Sequence, residues 1–200
     1  MKQLVKTVVR ALATIVVLPQ VLSYSIRSVV LGRDRAFENS VQWLSLVPGL
    51  PGQYLRRAFL AKTLAGGCAA SAVVEFGTLF SQVGSRIDED VYVGPRCHLG
   101  LVHLERNVLL AAGVHIPSGP HTHGTDPSRP IRTQPGSLRL VRIRSGAWIG
   151  SNAVILADVG RDTIVGAGSV VTHALPDGVV AVGAPARVVR RRDEPGSLLA

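Results

Sequence analysis

Branched aliphatic residues return every six positions through much of this chain. In the stretch 143–171, IRSGAWIGSNAVILADVGRDTIVGAGSVV, the series is Ile143, Ile149, Ile155, then Val159, Val165, Val171. Only the step from Ile155 to Val159 is short, at four residues. The same period runs through Ile87, Val93 and Leu99, and again through Leu104, Leu110 and Ile116, with a five-residue step between Leu99 and Leu104. Neither a helix nor an alternating strand has a period of six. A coil of short parallel strands does: each hexad makes one flat side, three make a turn, and the aliphatic residue points to the axis. Small or short polar pairs such as Ser145-Gly146, Ser151-Asn152 and Ala167-Gly168 fall where the backbone must turn sharply. The pattern predicts an all-β solenoid.

Outside the coil the pattern changes. Residues 1–32 form a basic apolar arm, MKQLVKTVVRALATIVVLPQVLSYSIRSVVLG, and residues 33–75 contain two short helices, AFENSVQWLSL and GQYLRRAFLAKTL, the second of which can supply a cap for the exposed end of the coil. The cluster Val47-Pro48-Gly49-Leu50-Pro51-Gly52 separates these helices. Residues 66–86 predict an irregular first turn, within a coil that spans 76–192, and 193–200 is a tail. Between the two regular stretches, residues 117–142 (PSGPHTHGTDPSRPIRTQPGSLRLVR) break the repeat as a polar, Pro- and Gly-rich ejected loop, a common place for function on a regular scaffold.

Charge sharpens the reading of the arm. The net charge is +9. Residues 1–70 hold nine Lys and Arg against Asp34 and Glu38, whereas residues 71–200 hold thirteen Arg against eleven acids. The basic residues are interleaved with aliphatics rather than aromatics, which argues against nucleic acid and for an anionic lipid surface. Sixteen uncharged residues separate Arg10 from Arg27, against the roughly 20 that a spanning helix needs. A helix lying on the membrane is the leading reading; a helix packed on the protein or a neighbouring subunit, and a true insertion, are the alternatives. Two cysteines, Cys68 and Cys97, form no disulfide framework or zinc motif, in keeping with a cytoplasmic protein, at the inner face of the membrane if the arm binds there.

The ejected loop carries His121-Thr122-His123-Gly124-Thr125-Asp126-Pro127. An imidazole, which ordinarily titrates at about pH 6.5, can act as a base at neutral pH. Asp126 can orient such a base or cap the loop through backbone N–H groups. Further on, GAWIGSNAVILADVGRDTIVGAGSVVTHALPDGVVAVGAPARVVRRR is similar to the C-terminal half of the hexapeptide-repeat acyltransferases, and most similar to the branch with the maltose, galactoside and virginiamycin acetyltransferases. AWIG, GAGSVVT and GAPARVVRRR carry the resemblance, which covers about residues 76–192. Residues 36–62 resemble the lead-in of a bacterial sub-branch linked to surface-polysaccharide modification.

The resemblance implies a left-handed parallel β-helix, usually a homotrimer with active sites between subunits, that uses acetyl-CoA and no metal to acetylate a saccharide acceptor. It puts His123 at the position of the catalytic base, with Asp126 and Pro127 three and four residues on; Gly124 stands where the family has Pro, and His121 is the second candidate. It puts Ser151, Gly166, Ala167, Gly168 and Thr172 along the pantetheine arm and Arg187 and Arg190 near the CoA phosphates, while His173 replaces a common Lys. His121, Asp126 and Trp148 are the candidates for acceptor contact, with subunit packing as the other role for Trp148. Two other functions compete: a coil that has lost catalysis and serves as a scaffold, and a γ-type carbonic anhydrase with a metal on His98, His103 and His115.

Overall fold

The computed structural model describes residues 2–193, so the tail lies outside the described residues apart from Asp193. Three helices open the chain: α1 (Lys2–Leu31), α2 (Arg33–Ser45) and α3 (Gly49–Thr63). Gly32, at φ 82° and ψ 155°, ends α1 in a positive-φ conformation that glycine adopts without a Cβ clash. The cluster around Pro48 ends α2, but α3 starts within it; Pro51 falls in the first turn of α3, where no intrahelical bond is lost. The helices pack on one another around the rings of Tyr24, Phe37 and Phe59, whose centroids lie 6.1–6.4 Å apart. Beneath them Phe80 is fully buried at the start of the coil.

The arm is therefore one long helix that runs along the cap. It packs through Ala13, Val17 and Tyr24, and the opposite face, from Leu4 through Leu12, Ile15 and Leu22 to Val30, is exposed and mostly apolar, with Ser25 among the aliphatics.

The coil has about six turns. The first is β1 (Val73–Val74), β2 (Leu79–Phe80) and β3 (Arg86–Ile87); the second is β4 (Tyr92–Val93), β5 (His98–Leu99) and β6 (Val102–Leu104); the third is β7 (Leu109–Leu110), β8 (His115–Ile116) and β9 (Val141–Ile143). Then come β10 (Trp148–Ile149) and β11 (Val154–Ile155), and β12 (Ile164–Val165) and β13 (Val170–Val171), with single bridges at Val159 and Leu175 making their third sides. Parallel pairing stacks these strands into three sheets: β1-β4-β7-β10-β12, β2-β5-β8-β11-β13 and β3-β6-β9. The last strands, β14 (Val179–Gly183) and β15 (Ala186–Arg191), extend the first sheet, β15 turning back antiparallel.

The first turn is more regular than its Gly- and Ala-rich composition suggests: Cys68, Val74 and Phe80 are anchors six residues apart, masked in the sequence by a thiol and an aromatic ring, and only the step of seven residues to Ile87 departs from the period. The ejected loop is also shorter than the break in the repeat, because Val141 and Arg142 already pair with Val102 and His103.

The spacing has a geometric logic. From the first sheet to the second, and from the third to the first, every step between anchors is six residues. The third residue after each anchor is then left-handed: Gly77, Arg96, Gly113, Asn152 and Gly168 line one corner and Asp90, Asn107, Gly146, Asp162 and Gly178 the other, with φ between 52° and 75°. Glycine, Asn and Asp tolerate that conformation best. All irregular steps fall at the third corner, between the second and third sheets: seven residues after Phe80, five after Leu99, twenty-seven after Ile116, four after Ile155 and four after Val171.

Each side buries a second residue, two positions before the anchor. These are small: Val91, Val108, Val114, Ala147 and Ala153, or Thr78, Ser85 and Thr163, whose hydroxyls donate to Gly94, Gly100 and Pro176 carbonyls of the following turn. Cys97 occupies such a position, its thiol donating to the Ala111 carbonyl, and burial pushes it up to about 11. Cys68 is likewise pushed up to about 12 by burial, so both thiols are packing residues.

Candidate active site

The ejected loop leaves the irregular corner after Ile116 and is built as a closed neck with a folded tip. At the neck Ser118 is buried in a left-handed conformation and its hydroxyl accepts from the Leu101 N–H. The Arg139 N–H donates to the Ser118 carbonyl and the Ser137 N–H to the His121 carbonyl, each at 2.8 Å. Arg139 also pairs with Asp158 of the next turn at 3.2 Å. At the tip Gln134 is buried: its Nε2 donates to the carbonyls of Asp126 and Arg129, and its Oε1 accepts from the Asp126 N–H. Sequence reasoning passed over Gln134, because a lone Gln in a polar loop carries no periodic signal.

This framework presents His121 and His123 on the exposed arm of the loop, with Thr122 between them tight against Gly136. Asp126 serves the turn: its carboxylate accepts from the N–H and hydroxyl of Ser128 and pairs with Arg129. Those bonds, from Ser128 first, lower its pKa. The capping role foreseen for Asp126 is the one this geometry supplies.

Ser151 and Ala167 lie at the corner between the first and second sheets, in successive turns joined by the Gly168 N–H donating to the Ser151 carbonyl. Backbones run close here: a Cβ on Gly150 would come within 2.5 Å of the Ala167 nitrogen. Gly168 is left-handed and Gly166 sits against Val182. Below them a groove of about 560 Å³ runs down the same corner past Asn152, Gly113 and Arg96. Thr172 follows β13 at the irregular corner, its hydroxyl 2.9 Å from Nδ1 of His173. Arg187 and Arg190 lie on β15, past the last turn. Trp148 stands outward on the first sheet between Leu109 and Ile164, in an apolar ladder with Tyr92.

Within one chain these groups do not converge. His123 hangs from the corner between the second and third sheets, and Ser151 and Ala167 line the corner between the first and second. The width of the second sheet separates them.

The imidazoles of the carbonic anhydrase alternative do not converge either. His98 and His115 stack outward on the second sheet, centroids 5.1 Å apart, and burial followed by His98 lowers the pKa of His115. His103 is on the third sheet, its Nε2 2.9 Å from Asp88. Among the described residues no group of three or more His, Cys, Asp or Glu side chains is arranged to hold a metal ion.

Comparisons with known proteins extend these observations. Residues 141–173 match the family described as the hexapeptide repeat of succinyl-transferase. A galactoside O-acetyltransferase of Lactococcus lactis is 30% identical over 132 residues, covering 56% of this chain and 64% of the relative, just under two thirds of its length. A lipopolysaccharide biosynthesis O-acetyl transferase of Escherichia coli, named as putative, is 29% identical over 59% of this chain and 71% of its own. The fold is shared with a galactoside acetyltransferase solved in complex with coenzyme A, at a TM-score of 0.60 and 22% identity over 80% of this chain and 81% of that one. The matched repeat, these relatives and the coil itself agree in their likeness to the hexapeptide-repeat acyltransferases.

Proposed function

We propose that the protein transfers an acetyl group from acetyl-CoA to a hydroxyl of a sugar, in a surface polysaccharide or its precursor. The observation that carries this reading is the loop: a structured neck and tip hold His123 out from the coil at the motif position of a general base. Nε2 or Nδ1 of His123 takes the proton of the sugar hydroxyl as its oxygen attacks the thioester carbonyl. The tetrahedral intermediate collapses, the carbon–sulfur bond breaks, and the departing thiolate receives the proton from the imidazolium. The products are an acetyl ester and CoA thiol.

The donor runs along the corner of Ser151, Gly166, Ala167 and Gly168, where small residues let a pantetheine arm lie against the backbone, and Thr172, at the irregular corner, reaches it from a neighbouring copy. Arg187 and Arg190 meet its phosphates. Because the loop and the donor corner are separated in one chain, the site is completed between copies, in a homotrimer. The apolar ladder of Tyr92, Leu109 and Trp148, each more than a third exposed, supplies a contact face. The relatives' names for galactosides and for lipopolysaccharide biosynthesis support a saccharide acceptor. The test is release of CoA thiol from acetyl-CoA on addition of galactoside, maltoside or lipid-linked oligosaccharide acceptors. Acceptor-dependent release is expected; silence with every saccharide would return the chain to the scaffold reading.

We further propose that α1 holds the enzyme at the cytoplasmic face of a membrane. By length and composition Leu4–Leu31 is apolar enough to cross one, with mean hydropathy 1.7. Its packing on α2 and α3 favours lying flat, with the outer apolar face in the lipid and the exposed cations Lys6, Arg33, Arg35 and Lys62 available to anionic headgroups. The full-length protein is expected to float with anionic liposomes, and a Leu12→Ser, Ile15→Ser, Leu22→Ser variant, altered only on the exposed face, to sediment. A wild-type protein that stays at the bottom of the gradient would sink this reading.

A further inference from the structure

Between α1, α3 and the first turn of the coil lies a cavity of about 150 Å³ lined by Lys6, Arg10, Tyr54, Arg57 and Ser71. It has room for several waters, each about 30 Å³ in the liquid, or for one tetrahedral oxyanion. Its walls carry three cations. Arg57 is only 8% exposed, and its Nε has no hydrogen-bond partner. The Nε of Arg10 is likewise buried without a partner. Among the described residues no carboxylate lies within ion-pairing distance of either guanidinium, and the neighbouring Glu75 is engaged by Gln53 at 2.7 Å. Burial lowers the pKa of Arg57; Cys68 and then Tyr54 oppose that shift, and the charge of Arg10 adds to it.

A buried guanidinium beside a half-buried one, each with an unpartnered Nε and no ion-paired carboxylate, is unfavourable in an otherwise well-packed cap. The surroundings show what would relieve them. The Ser71 hydroxyl accepts from the Asp90 N–H, which leaves its own proton to donate. The Tyr54 hydroxyl lies in the same wall. Guanidinium forks, an ammonium and two hydroxyl donors, with no acceptor charge among them, form a donor set for a phosphate group.

We propose that this cavity binds a phosphate-class anion, independently of acetyl transfer. The outer face of α1 begins beside it at Leu4, Val5 and Val8, and Leu50 on α3 is exposed at its rim. A phosphate borne by a lipid in the proposed membrane therefore reaches the cavity with its chains along α1, while a free phosphate reaches it from water.

The experiment compares the full chain with Arg10→Gln and Arg57→Gln in two arms. In the first, thermal unfolding is followed in inorganic phosphate and in chloride at equal ionic strength. A wild-type midpoint raised by about 3–6 °C at roughly tenfold the phosphate Kd, and not raised in the variants, is the expected result. In the second, flotation is measured with vesicles of a phosphate-free galactolipid, with and without phosphatidic acid. Phosphatidic acid is expected to enrich wild type on the vesicles and not Arg10→Gln, whose apolar face is intact. A response confined to the first arm identifies a soluble phosphate as the occupant, and a response in the second a lipid headgroup. The proposal is overturned if wild type responds in neither arm, or if both variants, still cooperatively folded, respond as wild type does. Flotation on phosphate-free vesicles reads the apolar face alone, so failure of the membrane reading is seen separately.

Discussion

His123→Ala is expected to lower kcat for saccharide acetylation by about 10²–10⁴-fold, the range that a positioned general base contributes. The KM for acetyl-CoA should stay within about twofold, since the proposed donor corner of Ser151 and Ala167 belongs to other turns and another edge of the coil, and a group acting only in the transition state leaves ground-state binding in place. The loop should remain folded, because its framework is Gln134, Ser118 and the Arg139–Asp158 pair rather than the imidazole. His121→Ala is the matched control: its carbonyl accepts from the Ser137 N–H, and alanine keeps that bond. Steady-state kinetics with the CoA-thiol assay decides between them. Near-normal turnover of His123→Ala with an inactive His121→Ala would move the base two residues back.

The largest stability effect is expected at Arg56. Its side chain is 2% exposed and joins three elements: Nε donates to the Val74 carbonyl of β1 at 2.9 Å, and Nη1 to the Leu44 and Val47 carbonyls at the end of α2 at 3.1 and 2.6 Å. Those two carbonyls lie at and just past a helix end; that of Leu44 also accepts from the Val47 N–H, at 3.3 Å. Arg56→Leu keeps comparable bulk but removes all three guanidinium bonds, and only the Leu44 carbonyl retains a backbone donor, the Val47 N–H. A loss of roughly 3–5 kcal/mol follows, read as a midpoint about 10 °C lower in thermal unfolding. The cap should loosen before the coil does, so hydrogen exchange in α2 and α3 should rise while the third and fourth turns stay protected. A midpoint unchanged within a degree would show that water replaces the guanidinium at all three carbonyls.

The coil was legible in the sequence because a single aliphatic position, repeated at six, is a signal that no other element imitates. What escaped was weaker in kind. The second inward position of each side is filled by Ala, Ser, Thr, Cys or Val, residues that look like corners or surface when read one at a time. The first turn hid behind Cys68 and Phe80. The candidate base was found by motif and placed by structure, but its separation from Ser151 and Ala167 depends on which corner each occupies, and the six-residue period alone does not number the corners. In the arm the periodicity of Ala13, Val17 and Tyr24 was drowned by an aliphatic background on both faces, so the packing of α1 emerged only in three dimensions. The unpaired Arg10 and Arg57 had no signature at all, since they lie 47 residues apart on different helices.

The unequal corners make the coil a ruler with a seam. At two of its edges one added residue would move every later anchor off the axis and flip the inward set outward, as a register slip does in any sheet. At the third edge steps of four, five, seven and twenty-seven residues coexist in one chain, and the turns above them still stack in register. Lengthening a segment there adds only loop-closure entropy, about 0.6 kcal/mol for each doubling. Grafts, deletions and evolutionary drift can therefore gather along that seam and rebuild what hangs from it, while the small-residue edge on the opposite side of the second sheet keeps its spacing untouched.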